Sequence, residues 1–150
     1  MKYSLASYKV AISANDQQIR DILGEAFVIG GQGSAVGQIS VELDNDMWTT
    51  EPFATGAWVH NKNLAKTGKV NIQISQLSED EIRLRNLFNI YYTNNLSEGV
   101  TLSITNNDET NPVEVASCTD CYLTKIPATI FADAAQNDEW IFTCGEIIFK

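Results

Sequence analysis

Alternation of apolar and polar residues is the sequence feature that most constrains the fold of this chain. It recurs in five segments, at residues 3–13, 38–43, 70–75, 100–105 and 140–149. Successive side chains of a strand point to opposite faces, so a period of two residues predicts half-buried β-strands. The last segment is apolar on both faces, with Ile148 expected beside Trp140 and Ile147 opposite, which predicts a central or doubly covered strand. The pattern favours a mainly β, antiparallel domain.

One flanking helix is predicted at about residues 78–93, directly after the third alternating segment. Ser78 and Glu81 have the S-x-x-E spacing of a capping box, in which each side chain satisfies the other residue's backbone N–H. Glu81 and Arg85 are also spaced as an ion pair on the exposed side. The apolar residues recur at i, i+3, i+4 and i+7 and form one face: Leu84, Leu87, Phe88 and Tyr91.

Residues 16–27 allow two interpretations. Ile19, Ile22 and Leu23 have helical spacing, and Gly24 is suited to end a helix as a C-terminal cap. A hairpin connection between strands fits the same residues. One or two helical turns and a hairpin therefore both remain open.

Residues 44–69 follow neither period, and we call this segment the arm. Its apolar side chains show no stable spacing of 2 or 3.6: Met47, Trp48, Phe53, Trp58 and Val59. Exposed apolar patches usually mark an interaction site. Either the arm folds back onto its own core, or it packs on a neighbouring molecule.

Length and charge bound the class of protein. A chain of 150 residues has the size of one domain with a real core, so we expect a single domain over residues 1–150. The net charge of −9 disfavours nucleic-acid binding, which needs clustered Lys and Arg, but suits a protein that nucleic acid slides past. No apolar run reaches the ~20 residues of a membrane helix, and the first residues do not resemble a signal peptide. We expect no membrane association.

The cysteines are the candidates for metal or redox chemistry. Cys118 and Cys121 have C-x-x-C spacing, but a structural zinc needs four ligands and only Cys144 and His60 remain. In an extended strand Cys118 and Cys121 point to opposite faces about 10 Å apart, beyond the roughly 7 Å limit for a disulfide. We expect buried free thiols and no cofactor, unless a tight turn at residues 119–120 joins the pair.

The other motifs form no catalytic constellation. The glycine-rich run at residues 30–37 precedes a strand, whereas a dinucleotide-binding fingerprint must open a helix. His60 is the only histidine, and a hydrogen-bonding role is favoured over a catalytic one. The aromatic residues at helical spacing could stack bases, but they are expected to face the core: Phe88, Tyr91 and Tyr92. The sequence does not predict an enzyme.

Four stretches carry a resemblance to a known family. They are a glycine turn and strand from Gly33 to Leu43, the arm with WVHNKNLAKTG, the strand-to-helix unit VNIQISQLSEDEIRLRNLFN, and EWIFTCG at residues 139–145. Their order and spacing resemble those of phage tail tube proteins, which stack as rings inside a tailed phage. The resemblance covers most of the chain.

This resemblance implies an antiparallel β-barrel or sandwich with a flanking helix, which assembles as hexameric rings stacked into a hollow tube. The implied partners are other copies of the chain and the sheath, tape-measure and baseplate proteins of a contractile tail, with DNA passing through unbound. The implied location is the virion, after assembly in the host cytoplasm. The arm would join one subunit or ring to the next, and its predicted interface residues are Met47, Trp48, Phe53, Trp58, His60 and Lys62.

Two alternatives stay open. A tube protein of a type VI secretion system or of a phage-derived bacteriocin would share the fold. A small β-sandwich module, from a different class, would grip a ligand such as a carbohydrate on its exposed tryptophans.

Overall fold

The computed structural model describes residues 4–24, 27–31, 34–94, 96, 98–106 and 113–150. The first residue of the predicted N-terminal strand and Gly33 of the glycine turn lie outside the described residues. Within this part the chain forms a short 3-10 turn (Leu5–Ser7) and two α-helices, α1 (Gln17–Leu23) and α2 (Glu79–Thr93). The strands are β1 (Tyr8–Ser13), β2 (Phe27–Gly30), β3 (Val36–Leu43), β4 (Trp48–Pro52), β5 (Trp58–Lys62), β6 (Gly68–Ser75), β7 (Val100–Asn106), β8 (Val113–Leu123) and β9 (Asn137–Phe149).

Seven of these strands form one antiparallel sheet in the order β2-β1-β7-β8-β9-β6-β3, and β4 pairs only with β5. The sheet is curled. Strand β3 lies at one edge of the sheet, and β1 lies next to the other edge. Val41 of β3 and Tyr8 of β1 nevertheless line the same cavity, together with Ile104 of β7. The predicted mainly β, antiparallel fold is confirmed, with two helices in place of one.

The core lies between one face of this sheet and the two helices, which contact each other. The alternating apolar residues of the strands form the sheet's part of this core. Each fully buried large apolar side chain stabilises the fold by about 1.5–3 kcal/mol. The largest fully buried side chains are Trp140, Phe27, Phe142, Ile19, Ile29, Ile72, Ile74, Leu84, Leu87, Leu102, Val10 and Val70.

Helix α2 forms where the sequence predicts it and Ser78 caps its start, but the predicted capping box between Ser78 and Glu81 does not form. The Ser78 hydroxyl accepts a hydrogen bond from the Asp80 N–H at 3.2 Å. Glu81 points into the protein, where it is 2% exposed, and accepts a hydrogen bond from Arg85 Nη2 at 3.0 Å. The expected ion pair therefore forms with its carboxylate buried. Tyr92, expected in the core, is 79% exposed because it lies off the buried stripe of the helix.

Helix α1 settles the choice left open for residues 16–27. Asp16 caps its start by accepting hydrogen bonds from the N–H groups of Gln18 (2.8 Å) and Ile19 (3.4 Å). Gly24 ends it with φ of 76°, a conformation that favours glycine. The helical interpretation is correct, and the hairpin interpretation is wrong.

Two strand assignments need correction. The first strand begins at Tyr8, because residues 5–7 form a 3-10 turn that starts at Ser4. The last strand is central, as predicted, but Ile147 is buried and Ile148 is 40% exposed, the reverse of the expectation. The alternation shifts where Asp120, with φ of 55°, lies against Gly145 of the neighbouring strand.

Candidate assembly surface

The arm is a β-hairpin that leaves the sheet between β3 and β6. Strand β4 pairs with β5 in antiparallel register, a regularity that the mixed sequence of the arm does not reveal. Every residue from 44 to 67 is exposed, so the arm does not fold back onto the described core. Of the two alternatives for this segment, the structure removes the first.

The register of the hairpin sorts its side chains onto two faces. Trp48 lies opposite Lys62, Thr50 opposite His60, and Pro52 opposite Trp58. Because paired residues share a face, these six residues lie on one side, which we call the aromatic face. The opposite side carries Thr49, Glu51, Val59 and Asn61. Trp48, Trp58, His60 and Lys62 thus lie on one face of the hairpin. The Glu51 carboxylate lies on the other face.

Contacts on the aromatic face hold its side chains in place. Lys62 Nζ lies 5.5 Å from the centre of the Trp48 ring, a cation–π arrangement. The Thr50 hydroxyl and His60 Nδ1 are 2.9 Å apart and hydrogen-bonded. His60 therefore makes the kind of contact that the sequence favoured for it. Of the two tryptophans of the hairpin, Trp58 is the more exposed, at 65% against 55% for Trp48.

The remaining predicted interface residues, Met47 and Phe53, flank the two ends of β4 and are exposed. The Phe53 N–H donates to the Ala57 carbonyl at 2.8 Å and closes the tip, where Gly56 has φ of 92°. The Met47 carbonyl accepts from the Asn63 N–H at 2.7 Å. All six predicted residues thus belong to one hydrogen-bonded hairpin, and four of them share the aromatic face.

The base of the arm is joined closely to the sheet. The Asp44 N–H donates to the Thr67 carbonyl at 3.0 Å, and the Ile147 N–H of β9 donates to the Lys66 carbonyl at 2.9 Å. A Cβ added at Gly68 would collide with the Glu42 carbonyl and with Ile147. This close approach of strands fixes the direction in which the arm leaves the domain.

The three thiols are free and buried, as predicted, but not for the predicted reason. The left-handed residue Asp120 shifts the alternation of β8, so Cys118 and Cys121 both face the core, and the expectation of opposite faces is wrong. Cys121 Sγ lies 2.9 Å from Cys144 Sγ. Hydrogen bonding with Cys144, followed by burial, raises the pKa of Cys118. A hydrogen bond from Cys118 lowers the pKa of Cys144, but hydrogen bonding with Cys121 and burial outweigh it and raise that pKa to about 12.

A buried carboxyl pair between α2 and β9 was missed by the sequence analysis. Burial, and then hydrogen bonding with Asp138, raises the pKa of Glu81 to about 7. Arg85 Nη2 is 3.0 Å from Glu81 and 4.0 Å from Asp138. The alternation of β9 contains the signal for this pair, because Asp138 shares the inward face of Trp140 two residues on.

A second exposed apolar segment was also missed. The connection between β8 and β9, residues 124–136, has no regular secondary structure and exposes Ile130 and Phe131, the latter at 88%. The criterion that singled out the arm, apolar residues without a period, applies equally to these residues. Among the described residues, no group of three or more His, Cys, Asp or Glu side chains is placed to hold a metal ion.

Membrane-spanning helices are not among the described elements: neither α1 nor α2 has the length and apolar character to cross a bilayer.

Comparison with known proteins agrees with this architecture. A search of curated proteins found no match. Among solved structures, the chain is similar to one described as the cryo-EM structure of the anti-feeding prophage cap, a tube-terminating cap, with a TM-score of 0.53 and 11% sequence identity. The similarity covers 100% of this chain and 93% of that one and concerns the fold. The family described as bacteriophage PhiTE tail tube protein matches residues 14–150. The chain therefore belongs to this phage tail tube family and is a structural component of the virion tail.

Proposed function

We propose that this chain, as one domain over residues 1–150 with an assembly arm at 44–69, forms hexameric rings that stack into a hollow conduit for DNA ejection. The observation that carries the proposal is the arm itself. It is an ordered hairpin with two tryptophans on one face, and nothing in the described part of its own chain covers that face. A surface of this kind marks an interaction site in a protein that must assemble.

The energetics of the arm favour many simultaneous contacts over one. Burying the exposed parts of Trp48 and Trp58 contributes about 3–6 kcal/mol before costs. Association of two proteins costs an estimated 4–15 kcal/mol in lost freedom of motion. The free energy gained by one arm contact therefore does not clearly exceed the cost of association. In a closed ring stacked on a second ring, each subunit makes several contacts for the same loss of freedom. This arithmetic supports cooperative assembly into rings and stacks.

The charge of the chain suits a conduit. At −9 per subunit, a tube wall repels the phosphate backbone, so DNA passes with little adhesion. In this proposal the neighbours of the tube are the sheath, tape-measure and baseplate proteins of a contractile tail, and the subunits assemble in the host cytoplasm before they enter the virion.

Negative-stain electron microscopy of the purified protein tests the proposal. We expect rings or tubes from the wild type and from Trp58→Phe, which keeps an apolar ring on the aromatic face. We expect folded monomers from Trp58→Asp and from a variant that lacks residues 47–63, because a buried charge or a missing arm removes the contact. Circular dichroism checks that both remain folded.

Tubes built by the Trp58→Asp or arm-deleted protein would show that the arm is not the assembly element. A wild-type protein that stays monomeric at high concentration, and whose tryptophan emission changes on addition of a carbohydrate, would contradict the proposal and favour a ligand-binding module.

A further inference from the structure

We propose that the aromatic face of the arm docks on the opposite end of a second copy of this chain. The acceptor is an acidic, apolar area formed by Leu77, Ile82, Ile130 and Phe131 with Glu79, which we call the distal surface. This inference rests on the proposed assembly, since it names the surface on which the assembly arm lands.

The positions of the two surfaces favour a contact between copies. Strand β6 begins at Gly68, at the base of the arm, and ends at Ser75, two residues before Leu77. Eight residues of strand span about 25 Å, so the arm and the distal surface lie at opposite ends of the sheet. Two different surfaces at opposite ends of one molecule make a head-to-tail contact, which propagates from copy to copy.

Hydrogen bonds assemble the distal surface from two separate parts of the chain. Gln76 and Gln136 are joined twice, with the Gln136 N–H donating to Gln76 Oε1 at 2.6 Å and the Gln76 N–H donating to the Gln136 carbonyl at 3.0 Å. Arg85 Nη2 donates to the Thr129 hydroxyl at 3.4 Å. The connection at residues 124–136 therefore runs beside the start of α2.

These bonds bring exposed apolar residues together. Ile82 lies three residues before Arg85 and so shares its face of α2, while Ile130 and Phe131 directly follow Thr129. Leu77 directly follows Gln76. All four apolar side chains are among the exposed large hydrophobic residues of the protein. The distal surface is thus an apolar area held in place by polar contacts at its edges.

Charge selects the arm of another copy as the occupant. The distal surface is bordered by Glu79 and Asp80 on α2 and by Asp133 on the connection, while Arg85, the cation beside Thr129, is paired with Glu81. The aromatic face carries the Lys62 ammonium group, with Glu51 turned to the other side. Arm against arm would bring two Lys62 ammonium groups together, and distal against distal would bring carboxylates together. Arm against distal surface pairs opposite charges, whereas the two like-charge arrangements are disfavoured.

A disulfide cross-linking experiment in the full-length protein tests this contact. Thr50→Cys places a thiol on the aromatic face, and Ile130→Cys places one on the distal surface, while the three native thiols are buried. Mild oxidation of the double variant T50C/I130C should give a ladder of covalent multimers on a non-reducing gel. The matched control T50C/Y92C carries its second thiol near the other end of α2, at a residue that is more exposed than Ile130 (79% against 56%), so access to the oxidant does not limit it. It should form the ladder at least about tenfold less efficiently, because the proposed contact does not bring these two thiols within the roughly 7 Å Cα–Cα distance that a disulfide needs.

The outcomes separate this inference from the proposed function. Tubes in the electron microscope together with a T50C/I130C ladder support both. Tubes without that ladder, or with an equal ladder from T50C/Y92C, would contradict the docking of the arm on the distal surface. They would not contradict the proposed assembly of the chain into a tube. A wild-type protein that forms neither rings nor tubes overturns both. As an independent check, Lys62→Glu should raise the concentration needed for assembly at least about tenfold, and K62E/E79K should restore it, because the exchanged charges pair again.

Discussion

At the scale of single residues, the carboxyl pair of Glu81 and Asp138 makes the stability of the protein depend on pH in an unusual direction. Two buried carboxylates repel, and the Asp138 Oδ2 atom has no hydrogen-bond partner. A proton on Glu81 removes the cost of burying its charge, which is the largest effect; it also supplies a hydrogen-bond donor to Asp138 and removes the repulsion. The raised pKa of Glu81, about 7 against an ordinary 4.5, expresses this preference for the protonated form.

We predict that this pair lowers stability as the solution becomes neutral. Because the folded protein holds the proton more tightly than the unfolded chain, the stabilising contribution is fully present below pH 4.5 and is lost as pH rises through about 7. The slope approaches about 1.4 kcal/mol per pH unit for one group. Glu81→Gln, which resembles the protonated side chain, should flatten this part of the curve. Urea unfolding at a series of pH values measures it.

The control is Glu79→Gln, which removes an exposed carboxylate from the same helical turn. It should leave the difference between pH 5 and pH 7 as in the wild type. If Glu81→Gln and Glu79→Gln give the same profile, the pair does not hold a proton and the buried carboxylates are stabilised in another way.

At the scale of elements, the sequence predicts what local patterns determine and misses what distant residues decide. The capped helix α2 and the apolar faces of β1, β6 and β7 follow from residues close in sequence. The pairing of β7 with both β1 and β8 depends on residues far apart, which no local period encodes. The shift at Asp120 depends on a single left-handed residue, and so the faces of Cys118, Cys121 and Ile147 could not be predicted.

The candidate site shows the same division. The six arm residues could be selected because apolar side chains without a period have no place in a core. Their sorting onto one face required the register of β4 and β5, which only the structure gives. The distal surface joins residues 77–82 to residues 130–131, and a chain read in order does not reveal that these approach each other.

The junction between arm and sheet provides an element-scale prediction. Gly68→Ala should destabilise the protein by about 1–3 kcal/mol, because the new methyl group collides with the backbone of β3 and with Ile147. The matched control is Gly37→Ala in the same strand pair, where the nearest atom, Asn137 Nδ2, lies 3.4 Å from an added Cβ. That change should alter the free energy of unfolding by well under half as much. Equal effects in urea unfolding would mean that the approach of β3 and β6 at Gly68 is not tight.

At the scale of the whole molecule, net charge and local charge act on assembly in opposite directions. Each subunit carries −9, so subunits repel one another at distances beyond a single contact. The proposed contact of Lys62 with the distal surface is a short-range attraction between a few groups. Salt weakens both, but it acts most strongly on charges that are far apart and in water.

We therefore predict that tube formation becomes easier as salt is added. The screening length falls from about 30 Å at 0.01 M to about 8 Å at 0.15 M ionic strength, which removes most repulsion between subunits while a contact pair at a few ångströms survives. The concentration needed for assembly, measured by sedimentation, should fall over this range. A variant with Asp21→Asn and Glu98→Gln, two exposed carboxylates outside both surfaces, carries two fewer negative charges and should respond less. A critical concentration that rises with salt would instead show that ion pairs at the contacts, rather than repulsion between whole subunits, control how the tube assembles.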